Sequence, residues 1–229
     1  DAGNSAYAVD TSGAALTTDQ RGAGYSRYVG TEVDIGAYES MSPPLTLTVT
    51  VANDELDASG SGLSIAEMGG ASDLSLREAI ELANDYAGEV TIEFDAALAG
   101  STITLDSGEG SLVLANSMTI DGDTGSDGDQ DLTISGDDAV RVYDVDDGDT
   151  GTASTAVLQG LVITNVYTAG GCGGVYAATG DNVELNNVSV TDNYACCAGG
   201  GVLVDGGALT ITDSMISGNE TGGNGAGIF

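Results

Sequence analysis

The sequence predicts an all-β fold, a β-solenoid preceded by one short capping helix, and three observations predict it. The last third of the chain repeats: Ile163, Val190 and Ile216 are 27 and 26 residues apart. The apolar pairs Ala156/Leu158, Val183/Leu185 and Leu209/Ile211 keep that interval, and so do Gly174-Val175, Gly201-Val202 and Gly227-Ile228. A fixed period in the twenties, built of strands, marks coils that stack because none can bury its apolar residues alone. Each period reads as a short alternating strand, a polar turn, a Gly-rich turn and a second short strand. Asparagine then recurs at one turn position, Asn193 and Asn219, where stacked amides can hydrogen-bond along the axis as a ladder. Finally, a helical periodicity stands ahead of the coils, with Leu76, Ala79, Ile80 and Ala83 at i, i+3, i+4 and i+7.

Taken in order, residues 1–40 are rich in Gly, Ala and Asp, with weak periodicity. Residues 41–44 contain the only two prolines, Pro43 and Pro44, and read as a linker. Leu45 to Val51 alternates strictly, as a half-buried strand does. The helix is expected near 73–85, with Ser72 or Asp73 as N-cap. A single helix before the first coils suits the open end of a solenoid, which must be covered. Further strands are expected at Val90–Phe94, Ile103–Leu105, Leu112–Leu114, Met118–Ile120, Leu132–Ile134 and Val140–Val145. The solenoid thus runs over 45–229.

Charge narrows the function. The chain carries four Arg, no Lys and no His against 36 acidic residues, a net charge of −32. Such a surface repels nucleic acid and anionic membranes. It favours divalent cations, or a saline setting where the Debye length falls to about 3 Å at 1 M salt. No apolar run approaches the ~20 residues of a membrane span.

Two acidic loops carry the candidate metal ligands. Asp121, Asp123, Asp127, Asp129 and Asp131 form the first; Asp144, Asp146, Asp147 and Asp149 form the second. Asp interleaved with Gly can turn several carboxylates toward one hard cation, and Ca²⁺ takes 6 to 8 oxygens in flexible geometry. Neither loop is an EF-hand, since the twelfth position counted from Asp123 is Ile134 rather than Glu. Solvated loop charge is the competing reading. Cys172, Cys196 and Cys197 fall in the Gly-rich turns of successive coils. Coils about 4.8 Å apart permit a disulfide from Cys172 to Cys196 or Cys197; three small thiols without a bridge is the alternative. Asn187-Val-Ser189 and Asn219-Glu-Thr221 are formal glycosylation sequons.

Leu74-Ser-Leu-Arg-Glu-Ala-Ile80, with Ala83-Asn84 and Val90–Phe94 behind it, resembles the CSLREA-type N-terminal module of bacterial surface β-helix proteins. Leu74 stands where that family has cysteine. Leu132-Thr133-Ile134, Arg141-Val142-Tyr143 and the coils that open on Gly-Gly resemble the polymorphic outer membrane protein class. The resemblance implies a right-handed parallel β-helix and secretion. Thr18-Asp-Gln-Arg-Gly22 and Asp34 to Glu39 resemble the segment that closes such β-helices. In the family that segment follows the coils, whereas here it precedes them. The order fits one unit of a tandem array, or a subunit whose tail serves a neighbour.

Catalysis is the least supported class. A polysaccharide hydrolase needs facing carboxylates, which Asp137-Asp138 and the loops could supply. A lyase needs a base and cations to hold a polyanionic sugar. Of the four Arg, Arg77 and Arg141 already belong to the cap and a strand. The expected function is a non-enzymatic extracellular structural protein, a subunit or repeat of a head-to-tail surface fibre or layer. The alternative is a cell-surface adhesin for glycans or proteins, although the nine Tyr and two Phe form no evident row.

Overall fold

The computed structural model describes residues 42–229 except 61, 150–152 and 170–172, together with strand residues 28–29 and 32–33. The chain divides into two compact units, Asp1–Pro44 and Leu45–Phe229. In the first, Tyr28–Val29 pairs antiparallel with Glu32–Val33. The closing segments expected at 18–22 and 34–39 lie outside the described residues.

The second unit is a parallel β-solenoid of about four turns. Its first sheet stacks Leu45–Val49, Val90–Phe94, Met118–Asp121, Thr155–Gln159, Asn182–Asn186 and Leu209–Thr212. A second sheet holds Thr102–Thr104, Leu132–Ser135, Leu161–Thr164, Ser189–Thr191 and Met215–Ser217. A third holds Leu112–Leu114, Tyr143–Val145, Val175–Ala177 and Val202–Val204; a fourth, of two-residue strands, holds Tyr167–Thr168, Tyr194–Ala195 and Glu220–Thr221.

The register is that of the sequence repeat. Leu47, Ile92, Ile120, Leu158, Leu185 and Ile211 form one inward column of the first sheet. Ile103, Ile134, Ile163, Val190 and Ile216 form that of the second. Alternation places these side chains inside and their neighbours outside, so a slip of one residue would expose the whole set. Those columns make one continuous core, and Ile92 through Leu185 are fully buried in it.

Each complete coil has more strands than the two expected per period, because two corners split what reads as one strand. Gly160, Asn187 and Asp213 occupy the first corner with φ of +62°, +52° and +48°. Asn165, Asp192 and Gly218 occupy the second with φ of +54°, +55° and +65°. Only Gly, and with short polar side chains Asn and Asp, enter this left-handed region cheaply. Gly160 has a second reason to lack a side chain: a Cβ there would strike the backbone of Gly122 and Asp123 in the preceding coil.

The helix spans Leu76–Asn84, and its N-cap is Ser75 instead of Ser72 or Asp73. Only Ser75 has a Glu three residues on, which makes a capping box. Glu78 N–H donates to Ser75 Oγ at 3.2 Å, and Ser75 N–H donates to the Glu78 carboxylate at 2.9 Å. Leu76, Ala79, Ile80, Leu82 and Ala83 are buried over the first coils. Arg77 is buried too. It forms a two-pronged pair with Asp54, both contacts at 2.7 Å, and donates to Gly110 O at 2.8 Å and Ser111 O at 3.3 Å. One guanidinium thereby ties the segment before the helix to a loop of the first full coil.

Arg77→Met leaves Asp54 buried without its partner. Removing one member of a buried pair costs about 3–5 kcal/mol, and equilibrium urea unfolding should show a loss of that order. A loss below about 1 kcal/mol would mean that Arg77 does not hold the cap.

Candidate functional site

The asparagine ladder forms as the repeat requires. Asn193 Nδ2 donates to Asn219 Oδ1 at 3.0 Å and to Ile163 O at 3.1 Å. Asn193 N–H also donates to Asn219 Oδ1, at 3.1 Å, and Asn219 Nδ2 donates to Val190 O at 2.8 Å. One coil earlier the position is Val166, whose N–H donates to Asn193 Oδ1 at 3.2 Å. Each amide oxygen therefore satisfies corner N–H groups, Val166 for Asn193 and Asn193 for Asn219, while its nitrogen donates to a strand carbonyl of the coil before. The repeated glycines make room for it: a Cβ on Gly174 would come within 3.2 Å of Asn193 Nδ2, and one on Gly201 within 2.8 Å of Asn219 Nδ2.

The first acidic loop joins the first sheet to the second. Asp123 accepts from the N–H groups of Asp127 at 3.1 Å and Gly128 at 2.8 Å. Asp131 accepts from Thr124 N–H at 3.0 Å and Thr124 Oγ1 at 2.6 Å. These contacts bring carboxylate oxygens of Asp123, Asp127 and Asp131 within 4.8 Å of one another. Asp121 and Asp129 take local roles: Asp121 accepts from Asp123 N–H, and Asp129 N–H donates to Asp127. The loop reaches along the stack to the corner and second-sheet strand two coils on, where Asn187 Nδ2 donates to Gly128 O at 2.8 Å and Ser189 Oγ to Gln130 Oε1 at 2.8 Å. Both sequon asparagines are thus engaged, Asn187 here and Asn219 in the ladder.

In the second loop, Asp146 and Asp147 meet Asp181 of the following coil, again within 4.8 Å. Asp181 is 1% exposed and accepts from Ser154 N–H at 2.8 Å. Reading the loops one at a time missed Asp181; the repeat was the available signal, since it sets Asp181 beside Ser154 at the loop's end. Asp144 and Asp149 stay outside the triad. Arg141 pairs with Asp144 at 2.8 Å and lies over the Tyr176 ring, 4.8 Å from its centre. Burial raises the Asp144 pKa against the opposing pull of Arg141. Asp149 N–H donates to Asp147. Three converging carboxylates suit a hard cation, with carbonyls and water to complete its shell.

Cys196 Sγ donates to Ala169 O at 2.8 Å and lies 2.8 Å from Cys197 Sγ, longer than a disulfide's ~2.04 Å. Cys172, and with it the cross-coil bridge, lies outside the described residues. A short aromatic row does exist. Tyr167 stacks on Tyr194 with ring centres 4.9 Å apart and planes 10° from parallel, one coil above the other. The buried Tyr143 phenol has its pKa pushed up by desolvation. Among the described residues, no helix is long and apolar enough to cross a membrane.

No family model, curated protein or solved structure matches the chain. The likeness to the CSLREA-type module and to polymorphic outer membrane proteins rests on the residues that carry it.

Asn193→Ala strands Val166 N–H inside the structure, while Ile163 O keeps its partner in the parallel sheet. At about 1–3 kcal/mol for a buried group left unsatisfied, the variant should lose roughly 1–3 kcal/mol in urea unfolding. Asn219→Ala, at a less buried rung, should lose less. Equal losses would show that the ladder's value does not follow burial.

Proposed function

We propose that the chain is an extracellular structural protein, a unit of a head-to-tail surface fibre or layer. The observation that carries this reading is the coil stack itself, in which one register of inward columns runs from Leu47 to Ile211 and each coil is built on the backbone and apolar surface of the one before it. At the N-terminal end the helix and its buried Arg77–Asp54 pair cover the coils. Repetition of this kind adds length without changing the joint between coils. Concentrated protein in molar NaCl, where self-repulsion is screened, should show filaments by negative-stain electron microscopy. Discrete monomers at every concentration and salt would overturn this reading.

The Tyr167–Tyr194 stack favours a second reading, an adhesin. Tyr167 is 53% exposed, and the stack's flat apolar surface on the outer face can receive a sugar ring. Glycan-array binding that Tyr167→Ala abolishes would support it.

In either reading the acidic triads hold Ca²⁺. A ligand of the folded state stabilises by about 2.7 kcal/mol at a hundredfold excess over Kd. Melting should therefore shift upward in calcium relative to chelator at equal ionic strength. Asp181→Asn keeps the acceptor for Ser154 and removes one charge, so it should shrink that shift. An unchanged melting temperature in calcium would leave screening alone.

A further inference from the structure

The turn from the second sheet to the third differs between coils. It takes eight residue steps from Ser135 to Tyr143, and eleven from Thr164 to Val175 and from Thr191 to Val202. The short turn closes on Gly136, whose carbonyl accepts from Ala139 N–H and Val140 N–H, and it carries no strand of the fourth sheet. That sheet therefore begins at Tyr167, on a ledge where the solenoid widens. Tyr194 stacks on one face of the Tyr167 ring, and the next coil supports the stack, since a Cβ on Gly222 would come within 3.4 Å of Tyr194 Oη. The other face of Tyr167 looks toward the short turn, and the residue is 53% exposed.

The ledge is acidic. Asp138 N–H donates to Asn165 O at 2.7 Å, which sets the exposed Asp137 and Asp138 at its head. Asp192 is exposed at the corner two residues before Tyr194, and Glu220 continues the tyrosine column. Arg77 and Arg141 are committed to Asp54 and Asp144, so among the described residues no basic side chain is bonded to these acids. Such a surface selects among sugars. An acidic glycan is repelled, and a neutral one gains only its stacking on the ring. A glycan with protonated amino groups adds the attraction of a cation to a ring face and pairing with the carboxylates. The chain itself displays that combination one strand away: Arg141 lies over the Tyr176 ring, 4.8 Å from its centre, while it pairs with Asp144. Successive rungs of the ledge stand about 4.8 Å apart, on the scale of one sugar unit.

We infer that the ledge binds a glycan carrying free amino groups, with one sugar face on the Tyr167 ring and ammonium groups at Asp138, Asp192 and Glu220. This inference rests on the adhesin reading above and names the class of glycan that reading leaves open.

Isothermal titration of the full-length chain tests it with four probes: a glucosamine oligomer, its fully N-acetylated counterpart, an oligogalacturonate and an oligolysine of equal charge. At about pH 5.5 the sugar amines are protonated while Asp and Glu, with ordinary pKa values of about 3.9 and 4.3, stay ionised. The glucosamine oligomer should bind roughly fivefold or more tighter than the acetylated one, and the oligogalacturonate should not bind. Tyr167→Ala should weaken the glucosamine oligomer about two- to fivefold. Asp138→Asn with Glu220→Gln keeps the side-chain shapes, and Asn accepts the φ of +53° at position 138. That double variant should weaken the glucosamine oligomer and leave the acetylated one unchanged. An acetylated oligomer that binds as tightly as the free amine, and is lost in Tyr167→Ala, overturns the amino-sugar assignment and leaves the adhesin reading standing. Oligolysine that matches the glucosamine oligomer, with both indifferent to Tyr167→Ala, shows ion exchange on the acidic surface and also overturns the assignment. Failure of every glycan to bind overturns both.

Discussion

Everything in this solenoid depends on keeping successive coils in register. An apolar side chain such as Leu158 is buried only because Ile120 lies on one side of it and Leu185 on the other. The path between equivalent positions must therefore return each residue to its column, and the corners enforce that return. Their left-handed residues, Gly160, Asn187 and Asp213 at one and Asn165, Asp192 and Gly218 at the other, turn the chain sharply without spending residues on a loop. The asparagine ladder satisfies the corner amides that the sheets leave out, and Gly174 and Gly201 clear the space for it. Where the coil from Met118 to Ala156 is longer than those that follow it, the added length leaves as the two acidic loops, and the columns continue undisturbed.

The N-terminal end solves a different problem, since its first coil has a strand in only one sheet. The helix supplies apolar cover for the remainder, and charge fixes its position. Arg77 reaches Asp54 on one side and the carbonyls of Gly110 and Ser111 on the other, while Glu78 accepts from both Ser75 and Asp57. Buried pairs of this kind contribute little net stability against an apolar replacement. They do penalise any docking of the helix that would leave them unpaired, so they select one seat for the cap.

The columns, the ladder and the Gly-then-branched strands were legible in the sequence because each is a local identity repeated at a constant interval. Ile163, Val190 and Ile216 could be aligned by eye, and they pair as aligned. The corners were not legible. Gly160, Asn187 and Asp213 share a backbone conformation and not a residue type, so identity matching passes over them. The same limit hid the Tyr167–Tyr194 stack, which recurs only once and meets Glu220 at the next coil. The N-cap, expected at Ser72 or Asp73, lies two or three residues later for a plainer reason: Ser72, Asp73 and Ser75 are all good caps, and only the reciprocal bond from Glu78 separates them. Of the acidic residues, sequence proximity grouped nine, whereas folding selects Asp123, Asp127 and Asp131 in one loop. In the other it draws Asp181 from the next coil to Asp146 and Asp147.

A net charge of −32 ought to oppose a fold whose equivalent positions stack one coil apart. Like charges directly opposite on adjacent strands are destabilising, and a repeat that placed Asp or Glu at a strand position would stack them in every coil. The described strand pairings contain one such contact, Glu93 on Asp121. Elsewhere the acids alternate with neutral partners: Glu184 lies between Val157 and Thr210, Glu220 follows Tyr194, and Asp144 sits between Val113 and Tyr176. The repeat is therefore strict in its inward columns and deliberately broken in its outward ones. Negative charge is moved to corners and loops, where water, salt and cations can reach it, and apart from Glu93 on Asp121 the described strands keep only isolated acids. Register and charge are reconciled by giving them different faces of the same strands.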